Sequence, residues 1–489
     1  MERQLITFGD FSGGLNVDVS PDQMAANELV VADNIDLGER GGAGKRYGTE
    51  FVNGASYASR MGQIFEWPRN DGSVILMGTT GNTLNRIANN GSITSLQALA
   101  KDRVSMFFLN DNLYFLDGQQ YRSYDGSSVS TVSAHSDPEN DLDPIRRCTF
   151  AVRHPKSLRM FFAGDSQDRA AVYYSEPNMP NFVKGTSKMY PTNADGPVTA
   201  LAVFVDAVLV FFKNSIWVWR GVDPESDAIW HKLPTSEGTI SPDTICLTTD
   251  SLTYLGNRGI FSLSPSIIGV NAEINPGRGM IVNVAKDKVE SILKSITHPE
   301  KAVAEFYSKE GLYLLSYCDD GSGINNRILV LDQQGAFVRW TGIQANDICH
   351  RLDGELLFAS TNYLLRRKDW YRDALPSGQY VGIPAVMETP KYSLGSPMHR
   401  KLLTKYQAAI QGQLGNYEVT IKVKVDDQVA VNTTLGSGLS KPLTLIRKQI
   451  RATGNRFSME LSNSQINMPF MVYGVGFEAK AVQSYGKRV

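Results

Sequence analysis

MFFLNDNLYFLDGQQYRSYDG, residues Met106 to Gly126, reads as three strands of a few residues each, with two turns between them. Asp-Gly and Asn-Gly accept the positive φ that tight hairpins need, so each such pair in an apolar context signals a chain reversal. The pairs occur at Asp71-Gly72, Asn90-Gly91, Asp117-Gly118, Asp125-Gly126, Asp195-Gly196, Asp320-Gly321 and Asp353-Gly354. VTALAVFVDAVLVFFKNSIWVWRG (Val198 to Gly221) repeats the theme, with bends near Asp206 and at Lys213-Asn214. SLTYLGNRGIFSLS (Ser251 to Ser264) and GLYLLSYCDDGSGINNRILVLDQQGAFVRWTG (Gly311 to Gly342) do so again. Units return every roughly 40–50 residues, the spacing of β-propeller blades. Six or seven such blades fit the span.

Working outward, one helix is expected inside this array. Ala285, Val289, Ile292, Leu293 and Ile296 fall at helical spacing over 284–296, after Asn275-Pro276-Gly277 and before His298-Pro299. Residues 1–58 read as an extended N-terminal arm: FSGGLN carries a glycine pair, Ser20-Pro21 offers a short helix start, and GERGGAGKRYG has too many glycines for a strand interior. Residues 59–384 form the propeller-like domain. Residues 385–489 form a small β-sandwich, in which Val419, Ile421, Val423 and Val425 alternate strictly with Glu418, Thr420, Lys422 and Lys424. Further strands are expected at 402–410, 457–461 and 470–477. The fold class is thus all-β with a minor α component.

Composition narrows the function. Of 489 residues, 42% are hydrophobic and 20% charged, as in an ordinary globular protein. Lys and Arg number 49 against 50 Asp and Glu, a net charge of -1, which argues against a basic face that neutralises phosphates. A conduit through which DNA slides stays compatible with that balance. The N-terminus MERQLITFGDF lacks an apolar signal region, and the longest apolar stretch, Val198 to Phe212, is interrupted by Asp206. Synthesis in a cytoplasm and no membrane span are therefore expected. Cys148, Cys246, Cys318 and Cys349 lie far apart without a CxxC pair and read as reduced thiols.

The search for chemistry leaves little. GERGGAGKR resembles a phosphate loop, but Gly38 is one residue too far from Gly44-Lys45, and Arg46 stands where Ser or Thr would ligate magnesium; it reads as a flexible loop. His135, His154, His231, His298, His350 and His399 are dispersed, and Asp319-Asp320 and Asp426-Asp427 read as turn residues. Trp217 and Trp219, with Phe211 and Phe212, read as sheet core before base-stacking platforms. YYSEPNMPNF (Tyr173 to Phe182) reads as a rigid loop or a contact between blades or subunits. No GxSxG motif and no repeated SxDxGxTW box occurs. No catalytic residue, metal ligand or cofactor site is expected, and the chain is not expected to be an enzyme. The alternative is a glycan-binding or glycoside-hydrolysing propeller with two carboxylates in its central channel.

FSGGLN, the Asp33 to Leu37 segment DNIDL and KRYG (Lys45 to Gly48) resemble the opening of phage tail proteins in which such an arm precedes a propeller. VYYSEPNMPNF, LAVFVDAVLVFFKNSIWVWRG and YLGNRGIFSLS followed by a helix are similar to blades of the same family. The chain is identified as resembling the bacteriophage tail nozzle (tail tubular) proteins of short-tailed phages. The resemblance implies a virion structural protein: a hexamer around the DNA channel that docks portal and adaptor rings and carries fibres, spikes or a needle during genome delivery. On that basis the first 50 residues are expected to pack on a neighbour, and the lumen to be rich in Asp and Glu.

Overall fold

The computed structural model describes residues 4–38, 40–192, 195–227, 229–267, 281–394, 398–412, 418–435 and 443–482. Among these, α-helix is confined to Asp143–Arg147 and Glu290–Lys294, and strands dominate. From residue 61 onward the chain lays down one four-stranded antiparallel meander after another, over 61–98, 105–131, 150–189, 200–232, 246–283 and 303–341. A final sheet takes three strands from 347–368 and its outer strand, Gly48–Phe51, from the N-terminus.

The turn chemistry works as the sequence implies. All seven glycines of the Asp-Gly and Asn-Gly pairs have φ between 74° and 99°. Six of them sit in hairpins within a meander, whereas Asp195-Gly196 joins two meanders. Two-residue hairpins at Asn110-Asp111, Val205-Asp206 and Asp426-Asp427 place both residues at positive φ, the signature of a type I′ turn.

Successive meanders bury apolar clusters between their faces. Trp67 and Met77 meet Leu113 and Phe115; Leu116 and Tyr121 meet Met160 and Phe162; Phe161 and Val172 meet Val208 and Trp219; Leu209 and Phe211 meet Leu252 and Tyr254. The run closes on itself, because Leu357, Ala359 and Leu364 of the last sheet pack on Met61, Ile64 and Ile87 of the first. Both faces of each sheet are covered, so strands such as Ala207–Phe211 are apolar throughout rather than alternating. Alternate residues of one strand serve opposite neighbours. This closed succession of face-packed meanders is a β-propeller.

Two further sheets adjoin the ring. One orders Thr444–Gly454, Lys401–Gly412, Phe470–Ala481, Ala43–Lys45 and Ile35–Leu37, with Gln4–Phe8 pairing on Phe470–Ala481. The other continues the 303–341 meander through Val31–Asp33, Ala385–Glu388, Phe457–Asn463, Val419–Val425 and Gln428–Leu435. They share one apolar cluster, in which Phe457 faces Phe477 at 6.3 Å between ring centroids and Phe8 stacks on Tyr392 at 3.6 Å. The strand at 419–425 buries Val419, Ile421, Val423 and Val425, while Lys422 and Lys424 pair with Glu460 on the other face.

Three expectations change. Residues 4–51 are no free arm: they supply strands to the propeller and to both adjoining sheets, because each short strand finds a partner within this chain. Ser20-Pro21 opens a turn closed by the Gln23 N–H on the Ser20 carbonyl, not a helix. The helix expected over 284–296 is α-helical only across Glu290–Lys294. Asp287 has φ 58°, which breaks the first turn, and the Asp18 carboxylate accepts the N–H groups of Glu290 and Ser291, starting the helix there. The Asn275-Pro276-Gly277 approach lies outside the described residues.

Candidate functional site at the centre of the ring

The innermost strands of the meanders, among them Met61–Pro68, Val303–Tyr307 and Asp347–His350, converge on a central channel. Residues distant in sequence meet there. Arg103, in the link between the first two meanders, donates through Nε to Asp243 at 2.8 Å and through Nη2 to Asp347 at 3.2 Å. Its Nη1 donates to the carbonyls of Gly62 and Asn346. One guanidinium thus ties together four parts of the ring. Burial opposes its charge, but the two carboxylates outweigh that and raise its pKa. Asp347 also accepts the Ile64 N–H at 2.7 Å.

Glu305 stands beside Asp347. Burial, reinforced by the Asp347 carboxylate, pushes its pKa up to about 8, against a weaker opposing bond from the His350 N–H. Glu305 is therefore mostly protonated at neutral pH. Cys246 and Cys349 flank it, and burial followed by the charge on Glu305 raises both thiols. Arg103 and Asp243 also line a cavity of about 410 Å³, together with Gln63, Phe65, Lys101, Phe150 and Glu300. Burial lowers the Lys101 pKa, with Asp117 and Asp243 acting against it.

This arrangement holds three carboxyls together, but two are engaged by Arg103. A two-carboxylate hydrolase needs an acid and a base free to face substrate; Asp243 and Asp347 instead face one another across a cation. Among the described residues, no group of three or more His, Cys, Asp or Glu is placed to hold a metal ion.

The motifs at the N-terminus form a second constellation, at the junction between propeller and adjoining sheets. Asp33 takes a bidentate pair from Arg339 at 2.7 and 2.9 Å. Asn34, at φ 54°, donates to Thr341 and the Pro384 carbonyl and accepts from Arg46 Nε. Arg46 is fully buried and forks onto Asp373 at 3.1 and 2.6 Å. Lys45 donates to Asn463 and the Gln465 carbonyl, and burial lowers its pKa to about 8. The glycine-rich stretch expected as a flexible loop thus holds a buried strand, Ala43–Lys45. Arg367 lies close to Tyr47, Tyr307 and Trp340, with its guanidinium 5.1 to 5.5 Å from the three ring centroids, and pairs with Glu310.

The other sequence candidates serve the fold. Phe211, Phe212 and Trp219 are fully buried; Trp217 is half-buried, and its Nε1 donates to Asp195. Asp426-Asp427 is a hairpin turn; Asp320 accepts the Ser322 N–H within its turn, and Asp319 pairs with Arg327. His154 is buried against Ser157 and the Asp206 carbonyl, while His135 stacks on Phe182; the histidines stay dispersed. All four cysteines are free. The 173–182 loop makes a contact between meanders, with Tyr121 OH donating to the Pro180 carbonyl. No described helix is long and apolar enough to cross a membrane. Sequence reasoning missed Arg103, Asp243, Glu305 and Asp347, for which no local pattern exists.

No family model matches the chain, and no curated protein does. Among solved structures, the chain is similar to virginiamycin B lyase from Staphylococcus aureus at 12% identity and TM-score 0.40, over 75% of this chain and 99% of that one. It is similar to the Pan2 WD40 domain of Neurospora crassa at 8% identity and TM-score 0.40, over 68% and 97%. An exo-beta-1,3-galactanase from Phanerochaete chrysosporium aligns at 11% identity and TM-score 0.32, over 80% and 98%. The propeller itself is set by the strand pairing and by the packing of the last sheet on the first.

Proposed function

We propose that this chain is a structural component of a phage tail, a nozzle subunit that assembles as a hexameric ring around the DNA channel and docks adaptor rings and fibres or a needle. Its body is a seven-bladed propeller with a C-terminal β-sandwich, the blade number being supported by the seven four-strand units. The observation that carries the reading is the use made of the FSGGLN, DNIDL and KRYG residues. They weave the propeller and the adjoining sheets into one shared core, as a load-transmitting ring subunit requires. The paired carboxylates in the channel weigh on the same side, against a two-carboxylate hydrolase there. The N-terminal strands pair within the chain, so any contact they make with a neighbouring subunit is additional to those pairings.

The test is negative-stain microscopy with native mass spectrometry of the purified chain. Six-fold rings, alone or with the adaptor proteins of the same particle, are the expected result. A monomer under all those conditions that degrades polysaccharide would overturn the reading.

A further inference from the structure

A second cavity, of about 340 Å³, opens between the 246–283 and 303–341 meanders, away from the channel cluster. Its lining contains no Lys, Arg or His. Thr249 and Asp250 come from one hairpin, Asp332 and Gln333 from the other, with Phe306 and Tyr313 also in the lining. Gln333 Nε2 reaches across to Thr249 Oγ1 at 3.4 Å. Asp250 is exposed, and its carboxylate takes no hydrogen bond or ion pair among the described residues. Asp332 is held in place, one oxygen accepting the N–H groups of Gln334 and Ala336 at 2.8 Å each. The Tyr313 hydroxyl is committed to the Thr244 carbonyl and its side chain is buried, so the ring that faces the cavity is that of half-buried Phe306. Thr248, Ser251 and Ser262 join their hydroxyls in a chain on the same wall.

These groups select a ligand by chemistry. The two lining carboxylates disfavour anions, although Lys288 stands behind the wall, donating to the Gly335 carbonyl at 3.0 Å, so a neutral ligand fits better than a phosphate or an acidic sugar. Carboxylate and amide oxygens accept hydrogen bonds from vicinal hydroxyls, the threonine and glutamine side chains donate back, and aromatic faces pack on C–H surface. The volume lies at the small end of the roughly 300–1,000 Å³ typical of ligand pockets. We propose that this cleft binds a neutral sugar of one or two rings, Asp250 and Gln333 taking its hydroxyls and Phe306 its apolar face. The inference stands independently of the tail reading, since any propeller exposed to a cell surface could use such a site.

Saturation-transfer NMR on the full chain tests it, with D-galactose, N-acetyl-D-glucosamine, L-rhamnose and lactose as probes and spermidine as the cationic control. A single-ring ligand is expected to bind with a Kd on the order of 1 mM. Transfer to the ring protons of at least one sugar is expected. Asp250→Ala and Gln333→Ala, both at exposed hairpin ends, are expected to weaken it by about tenfold with the melting temperature unchanged. Absence of transfer to every sugar, equal transfer in the variants, or binding of spermidine in place of sugar overturns the proposal.

Discussion

Replacing Glu305 by Gln tests the electrostatics of the channel. In the folded chain the Glu305 carboxyl titrates near pH 8, whereas its ordinary value is 4.5. Between those limits the unfolded chain releases a proton that the folded chain keeps, so the folded state loses stability as pH rises through this window. Each pKa unit is worth about 1.4 kcal/mol. From pH 5 to pH 7.5 the full effect would reach on the order of 3 kcal/mol, and the residual solvent contact of Glu305 reduces it to roughly 2 kcal/mol. Glutamine keeps the shape and cannot ionise, so Glu305→Gln should remove this slope and be more stable than the parent at pH 7.5. Asp347, whose pKa burial also raises against the pull of Arg103, and the raised thiols of Cys246 and Cys349 surround the same spot, so any slope that survives in Glu305→Gln belongs to them. The assay is urea unfolding of both proteins at half-unit steps from pH 5 to 8, followed by tryptophan fluorescence. Parallel profiles, with the two midpoints a constant distance apart, would show that Glu305 ionises normally and would refute the reasoning.

Removing one partner of the Arg46–Asp373 pair, by Arg46→Met or Asp373→Leu, should cost about 3–5 kcal/mol, because a buried charge is left alone. The double variant should recover a large part of that loss in denaturant midpoint. Gly14→Ala places a Cβ 2.6 Å from the Phe337 carbonyl oxygen at φ 66°, and should lower the melting temperature through a loss of about 2 kcal/mol or more. Val205 occupies a type I′ position at φ 48° and is exposed, so Val205→Asn should stabilise by about 0.5–1 kcal/mol in calorimetry.

Most of the strand pattern was legible because its causes are local. An Asp-Gly pair needs no distant partner to prefer positive φ, and Val419 to Val425 alternates because one face of its sheet is wet. The runs at 200–204 and 207–211 were legible as strands, whereas the covering of both their faces emerges only from the packing of neighbouring meanders. The N-terminal reading failed for a reason that is not local. Glycine is ambiguous: it permits flexibility, and it also permits close approach. Gly44 serves the second purpose, since a Cβ there would meet Met471 Cε at 2.8 Å and the Phe470 carbonyl oxygen at 2.9 Å. The helix was misjudged similarly, because its cap, Asp18, lies more than 270 residues away in the chain.

By itself, the sequence determined that this chain is a repetitive array of short antiparallel hairpins followed by longer alternating strands, since turn dihedrals and side-chain periodicity are set within a few residues. Only the tertiary structure decided that Gly48–Phe51 completes the last sheet, that Asp33, Asn34 and Arg46 lock the propeller to the adjoining sheets, and that Arg103 gathers Asp243 and Asp347 beside a protonated Glu305. Those contacts join segments up to 350 residues apart. Their energies come from burial and low dielectric, which exist only after the ring has closed.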